Sequence, residues 1–141
     1  MNQKLKDLYK EVILQYNKNP FNFQKKEDVS FQMEANNPLC GDRYDLYLEI
    51  NNNTITNAHF HGYGCAISKA STSILTKNLI GKTKEEAVER CKEFINHVDN
   101  VNRKENAENL FSAFEAVDDF PERRSCAVLA WEGLKIQLTE K

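Results

Sequence analysis

Tyr44-Asp45-Leu46-Tyr47-Leu48-Glu49-Ile50-Asn51-Asn52-Asn53-Thr54-Ile55 is the stretch that decides the fold class. Tyr44, Leu46, Leu48 and Ile50 fall on every second position, the period at which a pleated strand returns to the same face. The three asparagines are a turn signal, because asparagine tolerates left-handed backbone angles. A strand from about Thr54 to His61 should therefore return antiparallel to the first, and Gly62-Tyr63-Gly64 should break it. Upstream, Val29, Phe31, Met33 and Ala35 show the same alternation. They supply a third strand, joined to the hairpin through Asn36-Asn37-Pro38-Leu39-Cys40-Gly41-Asp42.

On either side the period changes to that of a helix. Leu5, Leu8, Tyr9, Val12, Ile13 and Tyr16 mark one apolar face over the first 17 or so residues. Pro20 ends that helix by disfavouring helical geometry in the residue before it, and the polar stretch through Asp28 reads as loop. After Gly64 everything is helical: Ala66 to about Ile80, stopped by Gly81, then a helix opened by a Thr83/Glu86 capping box. Its face is Ala87, Val88, Cys91, Phe94, Ile95 and Val98. A polar connection from Asp99 to Asn106 follows, then a short helix with Leu110, Phe111, Phe114 and Val117. Beyond Pro121, a last helix carries Ala127, Ala130, Trp131, Leu134 and Leu138. The expected fold is α+β: a small three-stranded antiparallel sheet with helices packed on one face. No repeat or linker divides the chain, so residues 1–141 are expected to form a single domain.

With 19 Lys and Arg against 21 Asp and Glu, the net charge of −2 excludes a broadly basic nucleic-acid footprint. No apolar run reaches the length of a membrane span, and the N-terminal residues lack a signal-peptide pattern. A cytoplasmic location is expected. Structural disulfides are disfavoured there, so Cys40, Cys65, Cys91 and Cys126 are metal ligands, reactive thiols or core residues.

The strand order separates these readings. The loop carrying Cys40 and Asp42 sits at one edge of the sheet, and the Thr54–His61 strand returns to that edge just before Cys65. The meander alone thus brings Cys65 near Cys40 and Asp42, while Cys126 must arrive by tertiary packing from the start of the last helix. Cys65 and Cys126 both stand at helix starts, where free N–H groups favour a thiolate. Gly41 permits a tight turn that aims Cys40 and Asp42 inward. Three sulfurs and one carboxylate suit tetrahedral Zn²⁺; cysteine ligation also suits an iron–sulfur cluster. Cys91 lies on an apolar helical face and reads as core, as does Trp131. His59 and His61 read as ordinary strand residues close enough to be reserve ligands. Arg124 is a solvated charge or a support for thiolate chemistry. Ser68, Ser71, Thr72 and Ser73 lack a His/Asp pattern and read as packing or capping groups.

Three segments carry a family likeness. Asn37-Pro38-Leu39-Cys40-Gly41-Asp42, Phe60-His61-Gly62-Tyr63-Gly64-Cys65-Ala66-Ile67-Ser68-Lys69-Ala70-Ser71 and Arg123-Arg124-Ser125-Cys126-Ala127-Val128-Leu129-Ala130-Trp131 closely resemble the signatures of U-type iron–sulfur assembly proteins, the IscU/SufU/NifU N-terminal family. Leu8-Tyr9 through Asn19-Pro20 is similar to that family's opening helix. IscU-type members have a histidine before the third cysteine, where this chain has Ser125. They also carry a Leu-Pro-Pro-Val-Lys chaperone-recognition sequence, where this chain has a longer stretch ending Phe120-Pro121-Glu122-Arg123-Arg124. Both departures resemble the SufU branch.

The resemblance implies a SufE/NifU-like fold, and zinc held by Cys40, Asp42, Cys65 and Cys126. It implies work beside a PLP-dependent, SufS-like cysteine desulfurase and downstream iron–sulfur assembly proteins. Cys40 is then the sulfur acceptor, its thiolate attacking the outer sulfur of the desulfurase persulfide, with Arg124 supporting the sulfur anion. The alternative is a scaffold that builds and transfers a [2Fe–2S] cluster, or holds iron, on Cys40, Cys65 and Cys126. A purely structural zinc module is a third reading. A zinc hydrolase or a dithiol oxidoreductase is disfavoured, since the chain has neither His-Glu-x-x-His nor Cys-x-x-Cys.

Overall fold

The computed structural model describes residues 3–37, 41–101, 103 and 109–140. Cys40, the Leu5 side chain and most of the polar connection after Asp99 lie outside the described residues.

Three strands, β1 (Phe31–Asn37), β2 (Asp42–Asn51) and β3 (Thr54–Tyr63), form an antiparallel sheet in the order β1-β2-β3. The alternation places Phe31, Met33 and Ala35 of β1 on the buried face. Asn52 and Asn53 make the β2–β3 turn with φ of 50° and 68°, the left-handed values that the asparagine run anticipates. Register pairs Asn37 with Asp42 and Arg43 with Tyr63, so the start of β2 and the end of β3 share one rim. The third strand runs two residues further than the glycines suggest, because Gly62 at φ 149° stays in the ladder. A Cβ there would strike the Arg43 carbonyl at 2.1 Å, so this position takes glycine.

The polar segment after the first helix is irregular, yet it lies along the outer edge of β3. Phe60 N–H donates to the Asn22 carbonyl at 3.1 Å, and Gln24 N–H donates to the Phe60 carbonyl at 2.9 Å. The Phe23 ring packs on Phe60 and stacks on His61, with Lys69 over it. This covering blunts an otherwise open sheet edge.

The helices are α1 (Gln3–Lys18), α2 (Ala66–Leu79), α3 (Lys84–Val98), a single turn α4 (Asn109–Ser112) and α5 (Arg124–Glu140). The short apolar helix expected around Phe111 splits into α4 and a tighter 3₁₀ segment, Ala113–Asp119, and a further 3₁₀ turn, Pro121–Arg123, leads into α5. The capping box that opens α3 is formed, with Thr83 and Glu86 each accepting the other's N–H. One core joins the sheet to the helices, with Tyr44, Leu46, Leu48, Phe60, Ile74, Phe94 and Trp131 fully enclosed. Cys91 is in that core with no exposed surface, and burial pushes its thiol up to about 12. Phe94 and Trp131 stack with ring centroids 4.0 Å apart.

Two sets of contacts deliver the start of α5 to the sheet rim. Trp131 Nε1–H donates to Ser71 Oγ at 2.9 Å, and Ser71 Oγ–H donates to the Ala127 carbonyl. These bonds tie α2 to the first turns of α5, beside Cys126. Arg124 donates two bonds to Asp99 at 2.7 and 2.9 Å and one to Glu132 at 3.2 Å, clamping α5 to the end of α3. No described helix is long and apolar enough to cross a membrane.

Candidate metal centre

Asp42 opens β2, Cys65 follows β3, and Cys126 lies in the first turn of α5. One carboxylate oxygen and the two sulfurs all lie within 4.8 Å of one another. The meander accounts for the first two, as the register argument requires, and the Ser71 and Arg124 contacts bring the third. Cys40, the remaining sulfur in the expected donor set, lies outside the described residues. His59 and His61 do not join this group; His61 is stacked on Phe23 instead.

Each donor is held. Cys65 is the N-cap of α2, its sulfur accepting the Ser68 N–H at 3.4 Å. Its own N–H donates to Asp42 Oδ1 at 3.0 Å, and its sulfur lies 4.0 Å from Oδ2. Asp42 and Cys126 are buried and Cys65 is half-buried.

The charges of this cluster oppose one another. Burial, followed by the neighbouring charges and hydrogen bonds of Cys65 and Asp42, pushes the Cys126 thiol up to about 12. The Tyr44 phenol is held above its usual range by burial, against its hydrogen bond with Ser68, with Asp42, Cys65 and Cys126 adding to the rise. The Tyr9 phenol is likewise raised, first by burial; Arg123 opposes the rise while Cys65 and Cys126 add to it. Converging acidic groups of this kind are stabilised together by a cation.

The donor set fits zinc. Around a tetrahedral ion with Zn–S near 2.3 Å, neighbouring donors stand about 3.8 Å apart. The observed spacing is close to this and needs only small side-chain adjustments. Two sulfurs with one carboxylate oxygen also match the ligand chemistry of that ion.

Three residues around the site are not singled out for it by the sequence. Tyr44 shows only its alternation, Ser68 only a packing or capping role, and Tyr9 only its place on an amphipathic helix. Arg123 and Arg124 both precede Cys126 closely, and Arg124 is the one expected to support the sulfur anion. The described contacts of Arg124 are with Asp99 and Glu132, whereas Arg123 is the arginine whose charge reaches Tyr9 together with both thiols. The 3₁₀-to-α transition between the two arginines changes the angular step per residue, and spacing alone cannot resolve which one faces the rim.

Comparison with known proteins finds relatives along nearly the whole chain. The family model described as the NifU-like N-terminal domain matches residues 8–139. The chain is 36% identical over 138 residues to the zinc-dependent sulfurtransferase SufU of Bacillus subtilis, covering 95% of this chain and 91% of that one. It is 36% identical over 135 residues to the iron–sulfur cluster assembly scaffold protein IscU of Streptococcus pyogenes, covering 94% and 83%. A crystal structure from Fervidobacterium islandicum, named for a SUF-system iron–sulfur cluster assembly scaffold protein, superposes with a TM-score of 0.85 at 36% identity, covering 94% and 97%. The chain belongs to the NifU-like N-terminal domain family, and several of the relatives it matches are named iron–sulfur cluster assembly scaffold proteins.

Proposed function

We propose that this protein is a zinc-bound sulfur acceptor of iron–sulfur cluster assembly, taking persulfide sulfur from a SufS-like cysteine desulfurase through Cys40. The observation that carries the reading is the convergence of Asp42, Cys65 and Cys126 on one point at the sheet rim, next in sequence to Cys40. Similarity along nearly the whole chain to a protein named as a zinc-dependent sulfurtransferase supports it.

Zinc, held by Cys40, Asp42, Cys65 and Cys126, would keep the thiolates ionised near neutral pH and protect them from oxidation. The residues do the rest. Cys65 and Asp42 are fixed by the N-terminus of α2 and by each other, and so remain in place. Cys40, outside the described residues, is assigned as the acceptor thiol. Its thiolate attacks the outer sulfur of the desulfurase cysteine persulfide. A new S–S bond forms on Cys40, the old one breaks, and the desulfurase cysteine leaves as a thiolate. The net charge of the exchange is unchanged, and no external oxidant or reductant enters.

Metal analysis of protein purified without added metal should give about one zinc per chain, the value for a single closed site. Wild-type protein should stimulate the desulfurase, and Cys40→Ala should abolish that stimulation; full stimulation by the variant overturns the acceptor role. The second reading, a scaffold on which a [2Fe–2S] cluster is assembled as cargo, draws on the same donor set and on the relative named as a scaffold. Anaerobic reconstitution that yields a coloured cluster, delivered intact to an apo-protein, would select it over the sulfur acceptor.

A further inference from the structure

Behind the donor atoms lies a polar layer that the donor set does not itself require. Tyr44 and Ser68 have no exposed surface, and their hydroxyl oxygens are 3.1 Å apart. Ser68 addresses Cys65 from both its main chain and its side chain. Its N–H donates to the sulfur at 3.4 Å, while its Oγ–H donates to the Cys65 carbonyl at 3.1 Å with the sulfur 3.6 Å away. Gly64 sits against the whole group: a Cβ there would be 2.6 Å from Asp42 Oδ1, 2.6 Å from Ser68 Oγ and 2.7 Å from the Tyr44 hydroxyl.

We propose that Tyr44 is a positioning residue for the metal centre: its O–H donates to Ser68 Oγ, leaving the Ser68 hydroxyl hydrogen for Cys65, shared between its carbonyl and its sulfur, and making Cys65 the fixed anchor of the donor set. The proposal rests on the metal-binding reading above and adds a supporting pair to it. The direction of the relay follows from counting hydrogens. A serine hydroxyl has one hydrogen, and a metal-bound thiolate can only accept. If Ser68 donated to Tyr44, no hydroxyl hydrogen would remain for Cys65. With Tyr44 as donor, the Ser68 O–H stays on Cys65, whose carbonyl oxygen at 3.1 Å and sulfur at 3.6 Å share it, while the Ser68 N–H goes to the sulfur. Hydrogen bonds of this kind orient metal ligands and set their donor strength. The Tyr44 ring packs against Phe60, which holds its hydroxyl beside Ser68.

The test uses the full chain and removes one oxygen at a time. Zinc affinity is measured by competition with a chromophoric chelator, and Co²⁺ loading reports the thiolate-to-metal charge-transfer band. Tyr44→Phe keeps the ring and should weaken zinc binding about 10-fold, the low end for loss of a supporting group. The cobalt band should move to longer wavelength, because a thiolate accepting fewer hydrogen bonds gives up an electron more easily. Ser68→Ala should do at least as much. Because Tyr44 works through Ser68, the double variant should bind zinc no more weakly than Ser68→Ala alone. Wild-type affinity with an unmoved band in Tyr44→Phe overturns the proposal, as does strict additivity in the double variant. If Tyr44→Phe does not fold, an unmoved band in Ser68→Ala has the same force. Wild-type protein that takes up neither zinc nor cobalt removes the metal-binding reading itself, and this inference with it.

Discussion

Gly64→Ala adds a single methyl group at the most crowded point beside the donor cluster. Gly64 is not among the positive-φ glycines, so alanine meets no backbone penalty and the whole effect comes from space. The new Cβ would approach Asp42 Oδ1 and Ser68 Oγ to 2.6 Å and the Tyr44 hydroxyl to 2.7 Å. Asp42 cannot retreat without lengthening the 3.0 Å bond from Cys65 N–H, and Tyr44 and Ser68 are enclosed. Overpacking a tight site costs about 1–3 kcal/mol, and weakening a hydrogen bond to a charged group costs about 1.5–3 kcal/mol. Because the two relieve each other in part, the expected loss is about 2–4 kcal/mol, a fall in Tm of roughly 6–12 °C for a domain of this size. Zinc affinity should fall by about 10-fold or more, since Asp42 and the Cys65 support move together.

Gly81→Ala is the matched control. Gly81 has φ 90° and nothing within 4 Å of its would-be Cβ. It should lose about 1–2 kcal/mol to backbone strain and keep its zinc affinity. Thermal melts in chelator, paired with a zinc competition titration, read both effects. Wild-type Tm and wild-type affinity in Gly64→Ala would refute the crowding argument. Equal loss of affinity in the two glycine variants would refute its localisation to the metal centre.

Further expectations follow from neighbouring contacts. Ser71→Ala strands the buried Trp131 N–H and loosens α5 beside Cys126; it should cost about 1–3 kcal/mol in denaturant unfolding and weaken zinc binding, and an unchanged affinity would disconnect this tie from the site. Burial pushes the Cys91 thiol up to about 12, with Lys135 pulling slightly the other way. Between pH 9 and about 12 the unfolded chain therefore releases a proton that the folded chain keeps. Stability should fall as pH rises through that window by about 1.4 kcal/mol per pH unit from this group. Below it the group adds no slope. Cys91→Ala should flatten that part of the profile, and an identical slope in both proteins would disprove it. Arg124 is 38% exposed and paired with Asp99 and Glu132; Arg124→Ala should lower stability by no more than about 1 kcal/mol and weaken zinc binding less than Ser71→Ala does, whereas abolished sulfur acceptance with unchanged stability would give this arginine the chemical role instead.

Much of the architecture could be read before any coordinates, because strands and helices are local. Alternation from Tyr44 to Leu48, the asparagine turn and the Thr83/Glu86 box each depend on residues a few positions apart, and each appears in the structure, whereas a register shift between Glu49 and Ile50 leaves Ile50 half-buried. The same locality carried Asp42 and Cys65 to one rim, since an antiparallel meander leaves no other place for them. The exceptions have identifiable causes. The residues around Phe23 have no periodicity of their own and become ordered by lying along β3. Around Phe111 the apolar spacing suits both an α-turn and a 3₁₀ turn, and contacts with α3 divide the segment between them; His97 holds Glu115 at 2.7 Å.

From its own string of residues, then, the chain determined the elements, their order, the residue types capable of binding a soft cation and the end of the sheet where two of them meet. Tertiary structure decided the rest. The approach of Cys126 depends on bonds from Ser71 and on the Arg124 clamp. The face presented by each arginine depends on a change of helical step. The second use of Tyr44, core ring and polar tip at once, depends on α2 crossing the sheet directly above it. Hydrophobic periodicity records which side of an element is buried. It does not record what the far end of a buried side chain will touch, because that partner is supplied by a different element.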